Sequence, residues 1–326
     1  MSLLKKVTIG NFITPNNVWL APLAGIGDKS YRILHRRFGA GLTFTEMTSA
    51  HGIVYGNSKT FDLARLTRKE RPAGIQVFGS NPEIMGMAVS LLSEYPADII
   101  DINGGCSVPK VLKTGAGARL LDDPDRFYAV IKACVDASIR PVSVKIRLGP
   151  SQDRINVIEN ALAAQEAGAS LLTLHPRTAK ARYRGKADWE YIGLVKQKLE
   201  IPVCGNGDIL SPQDAVRMIL ETGCDAVMIG RAAIGNPWII RDTIQALSLY
   251  PERIEEHLPS TEERVRCALE HLDLIVSFKG ETRGVREAKR HLYRYLKGIP
   301  HVARLRESIF LVDSKQEARE RIQALL

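Results

Sequence analysis

Eight short apolar segments recur along the chain, and each is separated from the next by enough residues for a helix. Runs of this length between turn residues are typical of strands that are buried on both faces of a parallel sheet. Eight strand–helix units in about 245 residues predict an α/β fold, a (β/α)8 TIM barrel. The predicted strands cover residues 18–21, 42–44, 74–78, 99–102, 142–146, 171–174, 202–204 and 226–229.

Signals for the starts and ends of helices support this alternation. A capping residue precedes a proline and acidic residues at Ser80-Asn-Pro-Glu, Asp122-Asp-Pro-Asp and Ser211-Pro-Gln-Asp. Gly168 and Gly223 stand just before strands, where glycine commonly ends a helix. The alternative is a doubly wound sheet, which needs a glycine fingerprint followed about 20 positions later by an acidic residue. Neither Gly25-Ile-Gly27 nor Gly115-Ala-Gly117 completes that pattern.

The strand pattern stops near residue 245, and a C-terminal all-helical domain is predicted beyond it. Pro251, Pro259 and several acidic residues mark a linker, and Ser260-Thr-Glu-Glu263 resembles a capping signal. Three helices are expected, over about 260–278, over about 282–297 and across the C-terminus. We therefore divide the chain into a barrel domain, 1–245, and a helical domain, 246–326.

The middle helix of this tail predicts a basic stripe, spaced to lie along one side and formed by Arg283, Arg286, Arg290, Arg294 and Lys297. Residues 279–306 hold nine Lys or Arg and only two acidic residues. A solvated helix face normally mixes the two signs of charge, whereas contact with a phosphate backbone favours one sign. The stripe alone leaves both interpretations open.

Composition limits the class of protein. No apolar run approaches the roughly 18 residues that cross a membrane, and the N-terminus has no secretory pattern. The five cysteines form no CxxC motif and the histidines are scattered, so we expect neither disulfides nor a metal site. A monomer in the cytoplasm is the expectation, and the net charge of +9 makes an anionic partner plausible.

One cysteine, Cys106, stands in a loop that has the character of an active site. The apolar run 98–102 ends at Gly104-Gly105, with Asn103 before the cysteine and Lys110 after it. A parallel α/β fold presents its chemistry in such loops, at the C-terminal ends of strands. For this loop taken alone, a buried structural cysteine is the alternative.

Polar residues follow the other predicted strands as well, and in a barrel those strand ends share one pocket. Asn206-Gly-Asp208 and Gly230-Arg231 follow the last two strands, the usual place of a phosphate site in this fold. Lys145 would then lie under the reactive ring of an elongated cofactor, where a cation stabilises a reduced flavin. The set comprises Pro22 to Gly25, Glu46, Gln76, Asn103, Cys106, Lys145, Arg147, His175, Arg177, Asn206 to Asp208, Gly230 and Arg231.

Across nearly the whole chain the sequence resembles the tRNA-dihydrouridine synthases. The resemblance departs from the family pattern at Ser107, where proline usually follows the cysteine directly, whereas here a proline comes only at Pro109. In the tail, Lys289-Arg-His291 and Tyr295 resemble the helical RNA-binding domain of the family. The barrel motifs are Ala21-Pro-Leu-Ala-Gly25, Glu46-Met47, Gln76-Val-Phe-Gly79, Asp101-Ile-Asn103, Gly105-Cys106 with Lys110, Gly115-Ala-Gly117, Lys145-Ile-Arg147, His175, Arg177-Thr178, Tyr183-Arg-Gly185, Asn206-Gly-Asp208, Gly230-Arg231-Ala and Pro237-Trp238.

The resemblance implies reduction of the C5=C6 bond of uridines in tRNA, with hydride from reduced FMN to C6 and a proton from Cys106 to C5. NADPH would reduce the FMN again. The implied RNA contacts are Asn103, which would orient the base, with Arg177, Arg182, Arg286, Lys289 and Arg290. The implied FMN-binding residues are Pro22, Leu23, Ala24, Gln76, Lys145, His175, Asn206, Gly207, Asp208, Gly230 and Arg231.

Two other functions compete with this one. A flavin barrel that reduces a free pyrimidine or an enone would leave the basic stripe without a role. An RNA-binding protein on a degenerate barrel would have no need of Lys145, His175, Asn206 and Arg231 together.

Overall fold

A computed structural model describes residues 2–252, 258–300 and 302–326, and within them nine strands form the main sheet of a barrel. Two further strands, β1 (Val7–Ile9) and β2 (Phe12–Thr14), form a separate hairpin. The main sheet comprises β3 (Val18–Leu20), β4 (Thr43–Phe44), β5 (Thr48–Ser49), β6 (Ala73–Phe78), β7 (Ile99–Gly104), β8 (Val142–Arg147), β9 (Leu171–His175), β10 (Val203–Asn206) and β11 (Ala226–Ile229).

The order of pairing shows the predicted (β/α)8 TIM barrel. Parallel pairs run β3-β11-β10-β9-β8-β7-β6-β4, and β5 pairs with the end of β6. The ring closes between its first and last strands through a parallel bridge from Trp19 to Leu42, supported by a 2.9 Å bond from Leu20 N–H to Leu42 C=O. Each of the eight predicted strands overlaps one strand of this ring, so the sequence-based prediction of the fold is confirmed.

Helices cover the outside of the barrel. Asn81 caps α4 (Pro82–Leu92), Asp123 caps α6 (Pro124–Ala137) and Ser211 caps α9 (Pro212–Thr222), each next to a proline in the first turn, as the sequence predicted. Gly223 ends α9 in the left-handed region, at φ +68°. The helices are α1 (Lys29–Arg37), α2 (Ala50–Val54), α3 (Ser58–Ala64), α4 (Pro82–Leu92), α5 (Pro109–Leu112), α6 (Pro124–Ala137), α7 (Val157–Glu166), α8 (Glu190–Lys198), α9 (Pro212–Thr222) and α10 (Trp238–Leu249).

The hairpin β1–β2 was not predicted, because its strands lack the continuous, fully buried apolar run that marks the strands of the barrel. Val7 and Ile9 are buried and pack with interior residues near the strand starts, including Leu171, Cys204 and Ala226. Gly10 turns the chain at φ +56°, where a Cβ atom would lie 3.0 Å from Pro141 Cγ. The hairpin therefore closes the end of the barrel opposite the strand C-termini, and the other end stays open.

The C-terminal part is helical, as predicted, with one difference. Its helices are α11 (Thr261–Lys279), α12 (Glu281–Tyr295), α13 (Ala303–Ser308) and α14 (Lys315–Gln323). The single helix predicted across the C-terminus is instead two helices, because a short 3₁₀ turn, Ile309–Leu311, buries Ile309 between them. Ser260 forms the predicted capping box with Glu263.

The boundary predicted at residues 245 and 246 falls inside α10. That helix continues to Leu249 because Leu247 packs in the barrel core, and Leu247 C=O accepts a bond from Leu3 N–H. The helical core in turn contains Leu34 of α1 and Trp238 of α10. The predicted linker between Pro251 and Pro259 includes residues 253–257, which lie outside the described residues. Within 2–252, 258–300 and 302–326, no helix has the length and apolar character needed to cross a membrane.

Candidate active site

A cavity of about 320 Å³ opens at the C-terminal ends of the barrel strands. It brings together all eleven residues predicted to bind FMN, together with Asn103 and Cys106. Residues from strand ends far apart in sequence meet here because parallel strands deliver their following loops to one face. The predicted residues in its wall are Pro22, Leu23, Ala24, Gln76, Asn103, Cys106, Lys145, His175, Asn206, Gly207, Asp208, Gly230 and Arg231.

Cys106 is held in the wall by contacts to its own backbone. The Asn103 side-chain oxygen accepts from Cys106 N–H at 2.8 Å and from Gly105 N–H at 3.1 Å. Ala118 N–H donates to Cys106 C=O at 3.0 Å, and a Cβ atom at Gly117 would lie 2.6 Å from that oxygen. These contacts fix the loop although Ser107 replaces the usual proline.

The environment of Cys106 keeps its thiol protonated. Burial raises the pKa of the Cys106 thiol, outweighing a backbone hydrogen bond at Val108 and the positive charge of Arg147, which both lower it. A thiol whose pKa lies above its usual range carries its proton at neutral pH. In this cavity Cys106 can therefore donate a proton to a bound molecule.

A row of buried side chains orients Asn103. Asp101 accepts from Ser143 Oγ at 2.6 Å and from Gln76 Nε2 at 2.7 Å, and Gln76 Oε1 in turn accepts from Asn103 Nδ2 at 2.9 Å. Burial raises the pKa of Asp101 to about 6, against the opposing effect of the Ser143 and Gln76 hydrogen bonds and of Lys145. Asp101 can only accept, so Gln76 directs its amide nitrogen to Asp101 and its oxygen to the Asn103 amide nitrogen. The Asn103 side-chain oxygen therefore points to the Cys106 loop.

Lys145 and Asn206 form a polar pair on the cavity floor. Lys145 Nζ donates to Asn206 Oδ1 at 2.7 Å, and Asn206 Nδ2 donates to Met228 C=O at 2.7 Å. Burial, with repulsion from Arg147, lowers the pKa of Lys145 to about 8. The ammonium is charged at neutral pH and has donors left for a ligand.

Arg177 lies behind the wall of the cavity and organises two of its residues. It donates to Asp208 Oδ2 at 2.6 Å and to Gly185 C=O at 2.7 Å, and its Nη1 lies 3.2 Å from His175 Nε2. Burial and the nearby cations, Lys145 foremost among them, hold the pKa of His175 far below its usual range. His175 is therefore a neutral imidazole that Arg177 positions.

The loops after β10 and β11 form a cradle for an anion. The backbone N–H groups of Asp208 and Gly230 form no hydrogen bond within the described ranges of the chain. Gly207 adopts φ +121°, where a Cβ atom would lie 2.8 Å from the His175 ring. Among the described residues of the wall, the positive charges of Lys145, Arg147 and Arg231 outnumber the one carboxylate, that of Asp208. These donors suit the phosphate group of a nucleotide cofactor.

The residues predicted to contact RNA lie in different parts of the structure. Only Asn103 lines the cavity. Arg177 is buried with its donors used inside the protein, and Lys289 Nζ donates to Phe310 C=O at 3.0 Å within the helical part. Arg182, at φ +54°, lines an adjoining basic recess, while Arg286 and Arg290 are exposed on α12. The five residues of the predicted basic stripe are all exposed, and Val285, Ala288, Leu292 and Leu296 on the other side are buried.

Arg147 and Tyr183 also line the cavity. Arg147 was predicted among the polar residues of this pocket, but neither residue was predicted to bind FMN or RNA. Arg147 donates to Gly105 C=O at 2.8 Å and to Arg182 C=O at 2.7 Å, joining the Cys106 loop to the loop after β9. The Tyr183 ring lies 4.6 Å from the Arg231 guanidinium and 5.5 Å from that of Arg147. The sequence placed Arg147 at the pocket as a charged residue at the end of the buried strand β8, without giving it a role.

The chain matches a known protein family over most of its length. Residues 19–326 match the family model described as dihydrouridine synthase (Dus). The chain belongs to the dihydrouridine synthase family. It is 37% identical over 317 residues to "Probable tRNA-dihydrouridine synthase 1" of Synechocystis, covering 97% of this chain and 88% of that protein. It is 39% identical over 310 residues to the probable tRNA-dihydrouridine synthase of Aquifex aeolicus, covering 94% and 95%.

Other relatives and solved structures extend the comparison. "tRNA-dihydrouridine synthase B" of Pasteurella multocida is 37% identical over 293 residues, covering 89% of this chain and 87% of that protein. Histamine dehydrogenase from Rhizobium matches with a TM-score of 0.58 at 14% identity, over 83% of this chain and 51% of that one. 2-Naphthoyl-CoA reductase matches with a TM-score of 0.60 at 12% identity, over 75% and 52%. The chain thus spans about half the length of these structures, and the likeness shows the shared barrel fold.

Proposed function

We propose that the protein reduces the C5=C6 bond of uridines in tRNA to 5,6-dihydrouridine, using FMN and NADPH. The observation that carries this proposal is the position of Cys106, a protonated thiol in the wall of a cavity that also holds Lys145 and an anion cradle. The family membership and the names of the relatives, tRNA-dihydrouridine synthases, support the substrate and the reaction.

The residues of the cavity fit FMN. The cradle formed by Asn206 to Asp208 with Gly230 and Arg231 would hold the phosphate, and Lys145 would donate to the pyrimidine end of the ring system. When bound, FMN supplies the hydride that adds to C6 of uracil and accepts hydride from NADPH between turnovers. A positive charge from Lys145 at that end of the ring stabilises the reduced form of a flavin.

Cys106 would supply the proton that completes the reduction of the base. Negative charge develops at C5 and O4 of uracil as C6 is reduced, and a proton delivered to C5 removes it. Cys106 donates that proton from Sγ to C5, and the resulting thiolate takes a proton back from solvent before the next turnover. Asn103 would orient the base with its second Nδ2 hydrogen, because its oxygen accepts from the Cys106 loop and its first Nδ2 hydrogen is donated to Gln76, which Asp101 orients.

The basic stripe on α12 would hold the RNA. Arg283, Arg286, Arg290 and Arg294 are exposed along one side of this helix, and Lys297 is exposed just beyond its C-terminal end. The target uridine must leave its stack to reach a barrel mouth, so the folded RNA needs support from contacts to its backbone. A row of cations with few neighbouring acids provides such contacts.

The first experiment separates the proposal from its two rivals. Purified protein should be yellow with a flavin spectrum, and unmodified tRNA should stimulate its NADPH oxidation while uracil should not. A colourless protein that FMN does not stabilise would favour an RNA-binding protein without redox chemistry, since a ligand of the folded state must raise its stability. Stimulation by uracil alone would favour the reductase of small molecules.

We expect Lys145→Met to weaken FMN binding by about 10-fold or more, because it removes a charged donor from the floor of the cavity. The affinity of the wild type should also fall above pH 8, as Lys145 loses its proton there. The variant should lack this dependence. Titration of FMN fluorescence across pH measures both effects, with exposed Lys113→Met as the matched control. Equal affinities at all pH values would remove Lys145 from the cofactor site.

We expect Arg286→Ala combined with Arg294→Ala to weaken tRNA binding and to lower the magnitude of its salt slope by about 1 for each phosphate contact removed. The matched control is Lys6→Ala with Lys198→Ala. It removes two exposed charges from the closed end of the barrel, near the hairpin and the C-terminus of α8. Binding measured at several salt concentrations tests this. If both pairs changed the slope equally, the stripe would be an ordinary solvated face.

A further inference from the structure

The loop between β3 and α1 belongs to the cofactor cavity and to the contact with the helical part at the same time. Pro22, Leu23 and Ala24 line the cavity. One residue further on, Gly25 C=O accepts a hydrogen bond from Nη1 of Arg290 on α12. At the end of the loop, the Asp28 carboxylate pairs with Lys279 of α11. The basic stripe of α12 therefore touches the loop that would enclose FMN.

Hydrogen bonds within this loop connect Gly25 to a residue of the cavity wall. Ile26 N–H and Gly27 N–H both donate to Leu23 C=O, at 3.0 and 2.7 Å, which closes the turn on a residue of the cavity wall. Gly25 lies at φ +73°, a conformation that glycine adopts at low cost. Gly25 N–H donates to the Glu46 carboxylate of the barrel, and Gly25 C=O accepts from Arg290 of α12. Gly25 is therefore bonded to the barrel and to the helical part at once.

A second contact fixes α12 against the mouth of the barrel. Gly235, in the loop that follows the Gly230–Arg231 cradle, adopts φ +68°, and a Cβ atom there would lie 2.6 Å from the backbone carbon of Arg294. The helix thus approaches two cavity loops within about one turn, through Arg290 and Arg294. A close backbone contact at Gly235 and a charged hydrogen bond at Gly25 therefore connect both cavity loops directly to the helix.

We propose that Arg290 is a positioning residue that couples RNA binding on α12 to FMN binding in the barrel, an inference that rests on the proposed function. One Nη group holds Gly25 C=O, and the planar guanidinium has further donors that remain exposed for a phosphate. A bound phosphate fixes the guanidinium, and the guanidinium fixes the cavity loop. The coupling is reciprocal, so FMN must raise RNA affinity by the factor by which RNA raises FMN affinity.

The test is FMN binding by the full chain without RNA, measured by fluorescence titration. Arg290→Ala should raise the dissociation constant of FMN about 10-fold, as expected on losing a hydrogen bond from a charged donor, and Arg290→Lys should restore part of the affinity. Arg286→Ala is the matched control. Arg286 lies one turn earlier on the same face, is exposed and makes no hydrogen bond or ion pair to the barrel within the described ranges. Its dissociation constant for FMN should stay within about twofold of the wild type.

A second arm tests the reciprocity. The wild type should bind unmodified tRNA about 5-fold more tightly with FMN than without it, and Arg290→Ala should lose this difference. Unchanged FMN affinity in Arg290→Ala would overturn the proposal. An equal loss in Arg286→Ala would also overturn it, since the effect would then be one of net charge. Failure of the wild type to bind FMN at all would instead refute the proposed function.

Discussion

Cys106→Ala should lose dihydrouridine formation by a factor on the order of 10² to 10⁴ while it still binds FMN and oxidises NADPH. The loss follows from removing the proton donor, since general acid catalysis contributes about this much to a rate. FMN binding should survive because Cys106 is held by Asn103 and Ala118 through its backbone, which the substitution leaves in place. Single-turnover formation of dihydrouridine, measured apart from NADPH oxidation, separates the two steps.

Two controls make this result specific. Cys267→Ala changes a cysteine of the helical core that lies away from the cavity, so it should retain turnover within about twofold. Cys106→Ser tests the acid itself, because a hydroxyl of much higher pKa than a thiol should restore little activity. Near-normal dihydrouridine formation by Cys106→Ala would show that another group supplies the proton.

Arg32→Met should lower the free energy of unfolding by about 3 to 5 kcal/mol, the cost of leaving a buried charge without its partner. The Arg32 and Glu70 side chains are only 3% and 0% exposed, and their closest atoms are 2.5 Å apart. Arg32 also donates to Gly27 C=O at 2.6 Å, so it supports the end of the cofactor loop. Denaturant unfolding of the protein measures the change.

The double variant Arg32→Met with Glu70→Gln should recover much of this loss. It removes the second buried charge and keeps an amide oxygen for Thr67, whose N–H and hydroxyl both donate to Glu70 Oε1. Arg37→Ala is the exposed control, because Arg37 pairs with Glu270 at the surface. This substitution should lower the free energy of unfolding by less than about 1 kcal/mol. If Arg32→Met cost no more than Arg37→Ala, the buried pair would not stabilise the fold.

The alternation of strands and helices could be predicted because it depends on local pattern. The eight apolar runs are buried on both sides, and α4, α6 and α9 each begin at a capping residue that the sequence shows. The hairpin β1–β2 was not predicted because its strands are only partly buried and lack a continuous apolar run. The break between α13 and α14 was not predicted either, because it depends on the packing of Ile309 in the helical core.

The residues of the site could be predicted better than the hydrogen bonds that they form. Lys145, His175 and Asn206 were identifiable as polar residues at the ends of apolar strands. The bonds from Arg177 to Asp208 and from Arg290 to Gly25 join residues 31 and 265 positions apart in the chain. No local pattern indicates that Arg177 points inward or that Arg290 reaches the cofactor loop, because both depend on how the elements pack together.

The most direct measurement of the proposed activity is the product itself. Unmodified tRNA is incubated with the protein, FMN and NADPH under anaerobic conditions, digested to nucleosides and analysed by mass spectrometry. We predict that uridine is converted to a nucleoside heavier by two hydrogen atoms that co-elutes with 5,6-dihydrouridine, and that Cys106→Ala yields little of it. Flavin-loaded protein that oxidises NADPH yet leaves every uridine unchanged would contradict the proposed function.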